Sequence, residues 1–235
     1  MIFALYKVIS YSITKNCSFS NFGGIMKNLV IYEGFLETLG SNVTIKTIRN
    51  FEDFKSGIRV FCASPFNEIL TDEDCKKEYD QYDNNGIVFA AYVNNEIVGL
   101  NCILNEVKPE YKIGFYDKDK VAYYAGLATR DIKLDNKERL RGKGVGKLLV
   151  KTTEDYLENL NKYDYSFARI QIGISQSEGI FRKNGFVDAY DNGILIVEDV
   201  SYERSNTKEI QSDKRKYMVK TLNPAGNGWY SKKWV

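Results

Sequence analysis

Histidine is absent from this sequence of 235 residues. Its absence excludes mechanisms that need an imidazole group, including Ser-His-Asp and Cys-His hydrolysis and zinc or haem sites with histidine ligands. A general base in this protein must therefore be a carboxylate, a tyrosine, lysine or cysteine side chain, or water.

Cysteine and long apolar runs are also scarce. The four cysteines form no CxxC pair and have no regular spacing, so a disulfide-rich scaffold is excluded and reduced thiols in a cytoplasm are expected. No stretch approaches the roughly 18 consecutive apolar residues of a membrane span. The apolar residues 1–6 lack the charged beginning and the cleavage site of a signal peptide. We therefore predict a cytoplasmic protein without a membrane partner.

Neither sign of charge dominates the chain. Its 33 basic and 31 acidic residues leave a net charge of +2, which gives no general attraction to nucleic acid. Hydrophobic residues make up 43% and charged residues 27%, as in an ordinary globular chain, and the length suits one α/β domain.

The sequence contains no internal repeat, low-complexity block or linker, which predicts a single domain over residues 26–222 followed by a tail over residues 223–235. Residues 1–25 show no helical or strand period, so we expect a poorly structured extension. The run Gly23-Gly-Ile-Met26 is what a ribosome-binding sequence before a start codon encodes when it is read in frame. We therefore predict Met26 as the natural start of a bacterial protein.

Hydrophobic periodicity and turn residues predict the order of the elements. Strands are expected over residues 43–48, 87–93, 97–107, 121–129, 167–174 and 216–222, with a further strand starting at Phe186. Helices are expected over residues 51–61, 71–82, 145–160 and 177–183.

A glycine-rich loop, residues 141–147, follows a predicted strand and begins the longest predicted helix. Glycines let backbone N–H groups approach a ligand, and the first turn of a helix offers unpaired N–H groups with the positive end of the dipole. Arg141, Lys143 and Lys147 add positive charge there. The loop therefore predicts binding of a polyanion such as a pyrophosphate.

Two other phosphate-binding motifs fit this loop poorly. A P-loop has the pattern GxxxxGK followed by Ser or Thr, but Gly142 and Gly146 are one residue too close and Leu148 occupies the hydroxyl position. The dinucleotide-binding pattern GxGxxG differs from the GxGxG spacing seen here. The alternative to a ligand-binding loop is a glycine-rich turn beside solvated lysines.

Three segments together resemble the GNAT superfamily of N-acetyltransferases. Arg141-x-x-Gly144-x-Gly146 resembles the loop that binds the pyrophosphate of acetyl-CoA, and Gly126-Leu-Ala-Thr129 looks like the end of the family's fourth strand. Downstream, residues 179–186 resemble a second signature, in which an aromatic residue precedes Lys by two positions and Gly-Phe by four. The resemblance covers residues 43–222.

This resemblance implies an α/β (α+β) fold with a mixed, splayed central sheet of six or seven strands and about four helices. It implies that acetyl-CoA binds between the fourth and fifth strands and that Phe181 packs near the thioester. Lys183 either reaches a phosphate of the cofactor or is only a charge at the exposed end of a short helix. The backbone of the fourth strand would bind the pantetheine arm through Leu127, Ala128 and Thr129. The loop would hold the pyrophosphate through Arg141, Gly142, Lys143, Gly144, Val145, Gly146 and Lys147.

The catalytic residues are less evident from the sequence. Tyr124 lies on the fourth strand where family members often carry a glutamate base, and Glu106 ends the neighbouring strand. Both are candidate general bases, a water chain is the other candidate, and a structural role is the alternative for each residue. The family often has tyrosine where Phe181 stands, and phenylalanine cannot donate a proton to the leaving thiolate. Ile174 also replaces an asparagine of the family pattern.

The resemblance predicts a metal-independent N-acetyltransferase that acts on a small-molecule amine or a protein amino group, as a monomer or homodimer. The acceptor is expected among the first two helices and residues 201–214. A CoA-binding module without catalysis is the alternative that Phe181 and Ile174 suggest. A P-loop phosphotransferase is a third.

Overall fold

The structure of the protein is a computed structural model that describes residues 28–61, 70–107, 115, 119–130, 140, 142–191, 193–203 and 210–223. The predicted extension over residues 1–25 and the predicted start at Met26 lie outside the described residues. None of the helices among the described residues is both long and apolar enough to cross a membrane.

The described elements follow the predicted order closely. They are β1 (Val30–Leu36), β2 (Ser41–Ile48), α1 (Phe51–Phe61), α2 (Asp72–Asn85), β3 (Gly86–Val93), β4 (Glu96–Leu104), β5 (Val121–Thr129), α3 (Val145–Leu160), β6 (Tyr165–Gln171), α4 (Ser175–Lys183), β7 (Val187–Asp188), β8 (Tyr190–Asp191), β9 (Ile194–Leu195), β10 (Val197–Glu203) and β11 (Ile210–Thr221). The four predicted helices are therefore confirmed within a few residues, and the strands predicted over residues 87–93 and 97–107 are the antiparallel neighbours β3 and β4.

The mixed α/β sheet predicted from the resemblance is confirmed, but it has more strands than expected. The strand order is β1-β2-β3-β4-β5-β6-β11-β10, and β7 also pairs with β11, giving nine strands among the described residues instead of six or seven. The first additional strand is β1, which forms an antiparallel hairpin with β2. Its pattern of intermediate and exposed residues is typical of an edge strand and gives little hydrophobic signal. Because of β1, the family's fourth and fifth strands are β5 and β6 here.

Alternating side chains of the strands build two cores, one on each face of the sheet. Tyr123, on β5, belongs to the core beneath α1 and α2, together with Phe54 and Phe167. The next residue, Tyr124, points to the other face and belongs to the core beneath α3 and α4, together with Leu149. Successive side chains of a strand point to opposite faces, so β5 contributes to both cores.

The sheet divides where β5 and β6 separate. These parallel strands pair only from Val121 with Tyr165 to Tyr124 with Ala168. Beyond that level, β5 stays on β4 as far as Thr129, whereas β6 continues beside β11. The register of β4 and β5 shifts at Ala125, which has no partner of its own on β4. A bulge of this kind bends a strand and increases its twist, so it favours the separation.

Gly99 on β4 allows α3 to pack closely on the sheet, which gives a test of the fold. A Cβ at Gly99 would lie 2.8 Å from Leu149 Cδ1 and 3.2 Å from Val145 Cγ1. Because this core is closely packed, we expect Gly99→Ala to lower the free energy of unfolding by about 1–3 kcal/mol. Urea unfolding measures the change.

Gly179→Ala is the matched control, because a Cβ at Gly179 in α4 meets no atom within 4 Å. Alanine is the better helix former, so this variant should be as stable as the wild type or more stable. Equal stability losses in both variants would contradict the proposed packing of α3 on β4.

Candidate active site

The glycine loop ends in the uncapped N-terminus of α3. Gly142 and Gly144 have φ angles of +81° and +89°, in the left-handed region that favours glycine. Gly144 is the N-cap of α3, and no side chain caps the helix. The N–H of Leu148 donates to the Gly144 carbonyl at 3.0 Å. The three preceding N–H groups, of residues 145–147, have no partner among the described residues and form a site suited to an anion.

Positive charge surrounds this helix end. Lys147 is exposed in the first turn of α3, and that turn contains no acidic residue. Lys143 lies in the loop itself and is partly buried. Arg141, the third predicted cation, lies outside the described residues. The helix dipole and these lysines favour the same ligand, a polyanion.

Gly146 brings the predicted binding segments together. A Cβ on Gly146 would lie 3.3 Å from Ile180 Cδ1 of α4 and 3.4 Å from Thr129 Cγ2 at the end of β5. The loop, the end of β5 and α4 therefore meet at the first turn of α3. Lys183 is exposed at the C-terminal end of α4, one helical turn beyond Ile180, and its contact with a phosphate stays a prediction.

The free edge of β5 presents alternate backbone groups to the gap between β5 and β6. The N–H of Arg130 donates to the Val98 carbonyl on β4 at 2.9 Å, and Ala128 stands opposite Leu100. Hydrogen-bonded positions alternate along an antiparallel pair. The backbone of Ala128 therefore faces β4, in contrast to the prediction. The backbone groups of Leu127 and Thr129 face the gap and can bind the amides of a ligand.

Three aromatic rings close the gap between β5 and β6 on the side of α3 and α4. The ring of Tyr124 makes edge-to-face contacts with Phe181 at 5.2 Å and with Phe186 at 5.6 Å between centroids. Phe181 is only 3% exposed. The second signature of the sequence therefore packs directly against the last residue of β5 that pairs with β6. That Phe181 lies near a thioester stays a prediction.

A buried carboxylate that sequence reasoning missed holds Tyr124 in place. Glu154 of α3 is 2% exposed, and its Oε1 accepts hydrogen bonds of 2.7 Å from both Tyr124 and Ser166. Lys220 Nζ lies 2.9 Å from Glu154 Oε2. An acidic residue between the apolar positions Val150 and Leu157 of the predicted helix was the available signal. Its partners could not be identified without the sheet order.

Burial changes the acid–base properties of this cluster. It raises the pKa of Tyr124 well above the usual value, and the adjacent Glu154 raises it further. Tyr124 is therefore a protonated hydrogen-bond donor at neutral pH. Burial also raises the pKa of Glu154, although Lys220 and the hydroxyls of Tyr124 and Ser166 oppose this change. Burial opposes the charge of Lys220, but the carboxylates of Glu154 and Glu158 raise its pKa overall.

The two predicted bases differ in their positions relative to the gap. Tyr124 lies at the point where the gap begins, but its hydroxyl already donates to Glu154. Glu106 is exposed and follows the end of β4, where Leu104 pairs with Tyr123. The structure therefore does not bring Glu106 to the open part of β5. A role as base stays a prediction for both residues, and this geometry favours neither.

A second polar cluster lies on the opposite face of the sheet, where β5 and β6 separate. Arg169 of β6 contacts Glu198 Oε2 of β10 through Nε at 2.8 Å and through Nη2 at 2.6 Å. Its Nη1 lies 3.4 Å from the Tyr123 hydroxyl of β5, and Tyr217 of β11 donates to the same Oε2 at 3.1 Å. Arg169 thus connects the two arms of the sheet on the α1 and α2 side. The partners of Arg169 lie far from it in the sequence, so no local sequence pattern could predict these contacts.

Among the residues that the structure describes, no group of three or more cysteine, aspartate or glutamate side chains is placed to hold a metal ion.

Comparisons with known proteins point to one family. A family model described as the acetyltransferase (GNAT) family matches residues 54–186, more than half of the chain. A comparison with curated protein sequences finds no match.

Solved structures with the same fold are similar over most of this chain. One is the ribosomal-protein-S18-alanine N-acetyltransferase from Escherichia coli, with a TM-score of 0.55 and 12% identity over 79% of this chain and 97% of that one. Another is an N-acetyltransferase from Staphylococcus aureus, with a TM-score of 0.51 and 15% identity over 77% and 97%. A spermidine N-acetyltransferase chimera from Vibrio cholerae has a TM-score of 0.50 and 13% identity over 77% and 96%.

The buried Glu154 gives a test by pH. Its raised pKa means that the folded protein binds this proton more tightly than the unfolded chain does. The resulting stabilisation is fully present below the ordinary pKa and is lost as pH rises through the raised pKa. Glutamine cannot ionise, so Glu154→Gln should become more stable relative to the wild type as pH is raised from about 4 to 8. Urea unfolding across this range measures the difference.

The control is Glu158→Gln, because Glu158 also contacts Lys220 at 2.8 Å but its side chain is 46% exposed. Its stability relative to the wild type should change much less with pH. A constant difference between Glu154→Gln and the wild type would contradict the assigned burial of Glu154.

Proposed function

The chain belongs to the acetyltransferase (GNAT) family, and we propose that it transfers an acetyl group from acetyl-CoA to a primary amine of a small molecule or a protein. The observation that carries this proposal is the uncapped, glycine-lined N-terminus of α3 at the open end of the gap between β5 and β6. A pyrophosphate and an amide-containing arm need these two features side by side.

The described residues fit acetyl-CoA on physical grounds. The N–H groups of residues 145–147, with Lys143 and Lys147, are suited to the pyrophosphate. The backbone groups of Leu127 and Thr129 are suited to the amides of the pantetheine arm. When bound, acetyl-CoA supplies a thioester whose carbonyl carbon the acceptor amine attacks.

The residues at the inner end of the gap exclude water and orient the reacting groups. Tyr124, Phe181 and Phe186 close this end from the side of α3 and α4. A backbone N–H on the free edge of β5 can donate to the oxyanion that develops during attack. Such groups are held by the sheet and do not have to reorganise during the reaction.

Deprotonation of the acceptor is the difficult step in a chain without histidine. An amine with a pKa of about 10.4 is neutral in roughly one molecule per thousand near pH 7.4, so deprotonation costs about 4 kcal/mol. Because the Tyr124 hydroxyl is protonated and engaged, we propose that water carries this proton away from the amine. The CoA thiolate leaves unaided, since a thiol pKa near 8.5 makes it a good leaving group, and the second proton that the nitrogen loses as the amide forms also passes to water.

The acceptor class is proposed at the level of an amine. The names of solved structures with this fold include enzymes for a ribosomal protein and for spermidine, which supports both a protein amino group and a small amine. The face that carries α1 and α2 is the proposed side of approach, because α3, α4 and the three rings cover the other face.

Catalysis and plain CoA binding are separated by one experiment. Release of free thiol from acetyl-CoA is measured with a panel of polyamines, amino acids and peptides, while calorimetry measures binding of acetyl-CoA. We expect binding together with thiol release that depends on an acceptor. Binding without release by any acceptor favours the CoA-binding module, which the lack of a hydroxyl at Phe181 suggests. Absence of binding contradicts both.

Lys147→Glu tests the pyrophosphate site. The residue is exposed in the first turn of α3, so reversing its charge should raise the Kd for acetyl-CoA about tenfold and change the thermal stability little. Lys162→Glu makes the same change in net charge beyond the other end of α3, roughly 22 Å away, and should leave the Kd unchanged. Calorimetry measures the Kd for acetyl-CoA of both variants. Equal increases in Kd would contradict the proposed pyrophosphate site.

Tyr124→Phe tests whether this hydroxyl acts as a base. The Tyr124 hydroxyl donates to the buried Glu154. Removing this hydroxyl should therefore lower the free energy of unfolding by about 1–3 kcal/mol, while kcat should stay within about threefold of the wild-type value. A general base contributes about 100-fold or more. A fall in kcat of that size, with acetyl-CoA affinity retained, would show that Tyr124 is catalytic. Glu106→Gln is assayed alongside by the same criterion.

A further inference from the structure

The turn between β1 and β2, residues 37–40, lies against the glycine loop. The Thr38 hydroxyl donates to the Lys143 carbonyl at 2.6 Å, across 105 positions of sequence. The Thr38 hydroxyl oxygen would also lie 3.0 Å from a Cβ on Gly144. This contact joins an edge hairpin to the segment proposed to bind the pyrophosphate.

The turn is itself held in place by backbone bonds and packing. The N–H groups of Leu39 and Gly40 donate to the Leu36 carbonyl at 3.0 and 2.9 Å. Leu36 and Leu39 are partly buried against the core beneath α3. Thr38 therefore approaches the loop from an ordered element whose apolar side chains share a core with the helix that the loop begins.

The contact determines the direction of one peptide group. In a trans peptide, the carbonyl and the N–H point in opposite directions. Because the Lys143 carbonyl points to Thr38, the N–H of Gly144 points away from the β1–β2 turn. The Lys143 N–H is also engaged, since it donates to the Leu140 carbonyl at 3.2 Å. The peptide planes on both sides of Lys143 are thus fixed by hydrogen bonds.

We propose that Thr38 is a positioning residue for the pyrophosphate site: its hydroxyl fixes the Lys143–Gly144 peptide so that the Gly144 N–H joins those of residues 145–147 in binding the pyrophosphate. This role rests on the proposed function. Thr38 acts through the loop backbone and does not itself contact the ligand. The hairpin formed by β1 and β2 therefore supports the proposed binding loop and also forms the edge of the sheet.

The test compares a ligand that contains a pyrophosphate with one that lacks it. The Kd for CoA is measured by calorimetry and the Kd for pantetheine by NMR titration. For Thr38→Val we expect the Kd for CoA to rise about 3- to 10-fold, as for one lost hydrogen bond, and the Kd for pantetheine to stay unchanged. Thr38→Ser keeps the hydroxyl and should bind CoA within about twofold of the wild type.

Thr221→Val is the matched control, because it makes the same chemical change at an exposed residue of β11 that pairs with Tyr165, at the closed end of the gap. It should alter neither Kd. Unchanged CoA binding in Thr38→Val would overturn the role of Thr38 and leave the proposed function intact. Equal weakening of both ligands would also overturn it, because the effect would then be a general structural one. Absence of CoA binding by the wild type would overturn the proposed function and this role together.

Discussion

The separation of β5 from β6 after Tyr124 and Ala168 is the constraint on which the rest of this structure depends. Two adjacent parallel strands lose their shared hydrogen bonds beyond that level, and backbone groups left unpaired must bind water or a ligand. β5 keeps its partner β4 on one side, so only alternate groups, those of Leu127 and Thr129, face the gap. The same separation leaves the end of β5 open to the start of α3, where a Cβ on Gly146 would lie 3.4 Å from Thr129 Cγ2. The gap and the proposed anion site therefore depend on the same separation of β5 from β6.

Polar clusters on both faces hold the two arms of the sheet at the level where they divide. On one face, Glu154 accepts hydrogen bonds from Tyr124 of β5 and Ser166 of β6 and forms an ion pair with Lys220 of β11. On the other face, Arg169 reaches Tyr123 of β5 and Glu198 of β10. Buried charges are costly to remove from water and add little net stability compared with apolar packing. Their directional contacts instead define which side chains meet at the level where β5 and β6 separate.

The proposed chemistry relies on backbone groups and on a helix dipole more than on particular side chains. Such groups are supplied by strand order, by a bulge at Ala125 and by glycines that let the chain turn sharply. A site of this kind tolerates extensive change in the side chains around it. The solved structures of similar fold share only 10–17% of their residues with this chain. The proposed chemistry needs neither a histidine nor a tyrosine at position 181.

The sequence by itself determined those features that are written in neighbouring residues. The spacing of Gly142, Gly144 and Gly146 indicated a loop at a helix start, and the run around Phe181 indicated α4 and its end, because turns and periodicity are local properties. Tertiary structure alone decided that Glu154 meets Lys220, that Thr38 meets Lys143, and that Glu106 lies away from the gap. The backbone direction of Ala128 and the addition of β1 also depended on it. Each of these depends on strand order and register, which join residues far apart in the chain. A local pattern carries no information on which distant strand will become its neighbour.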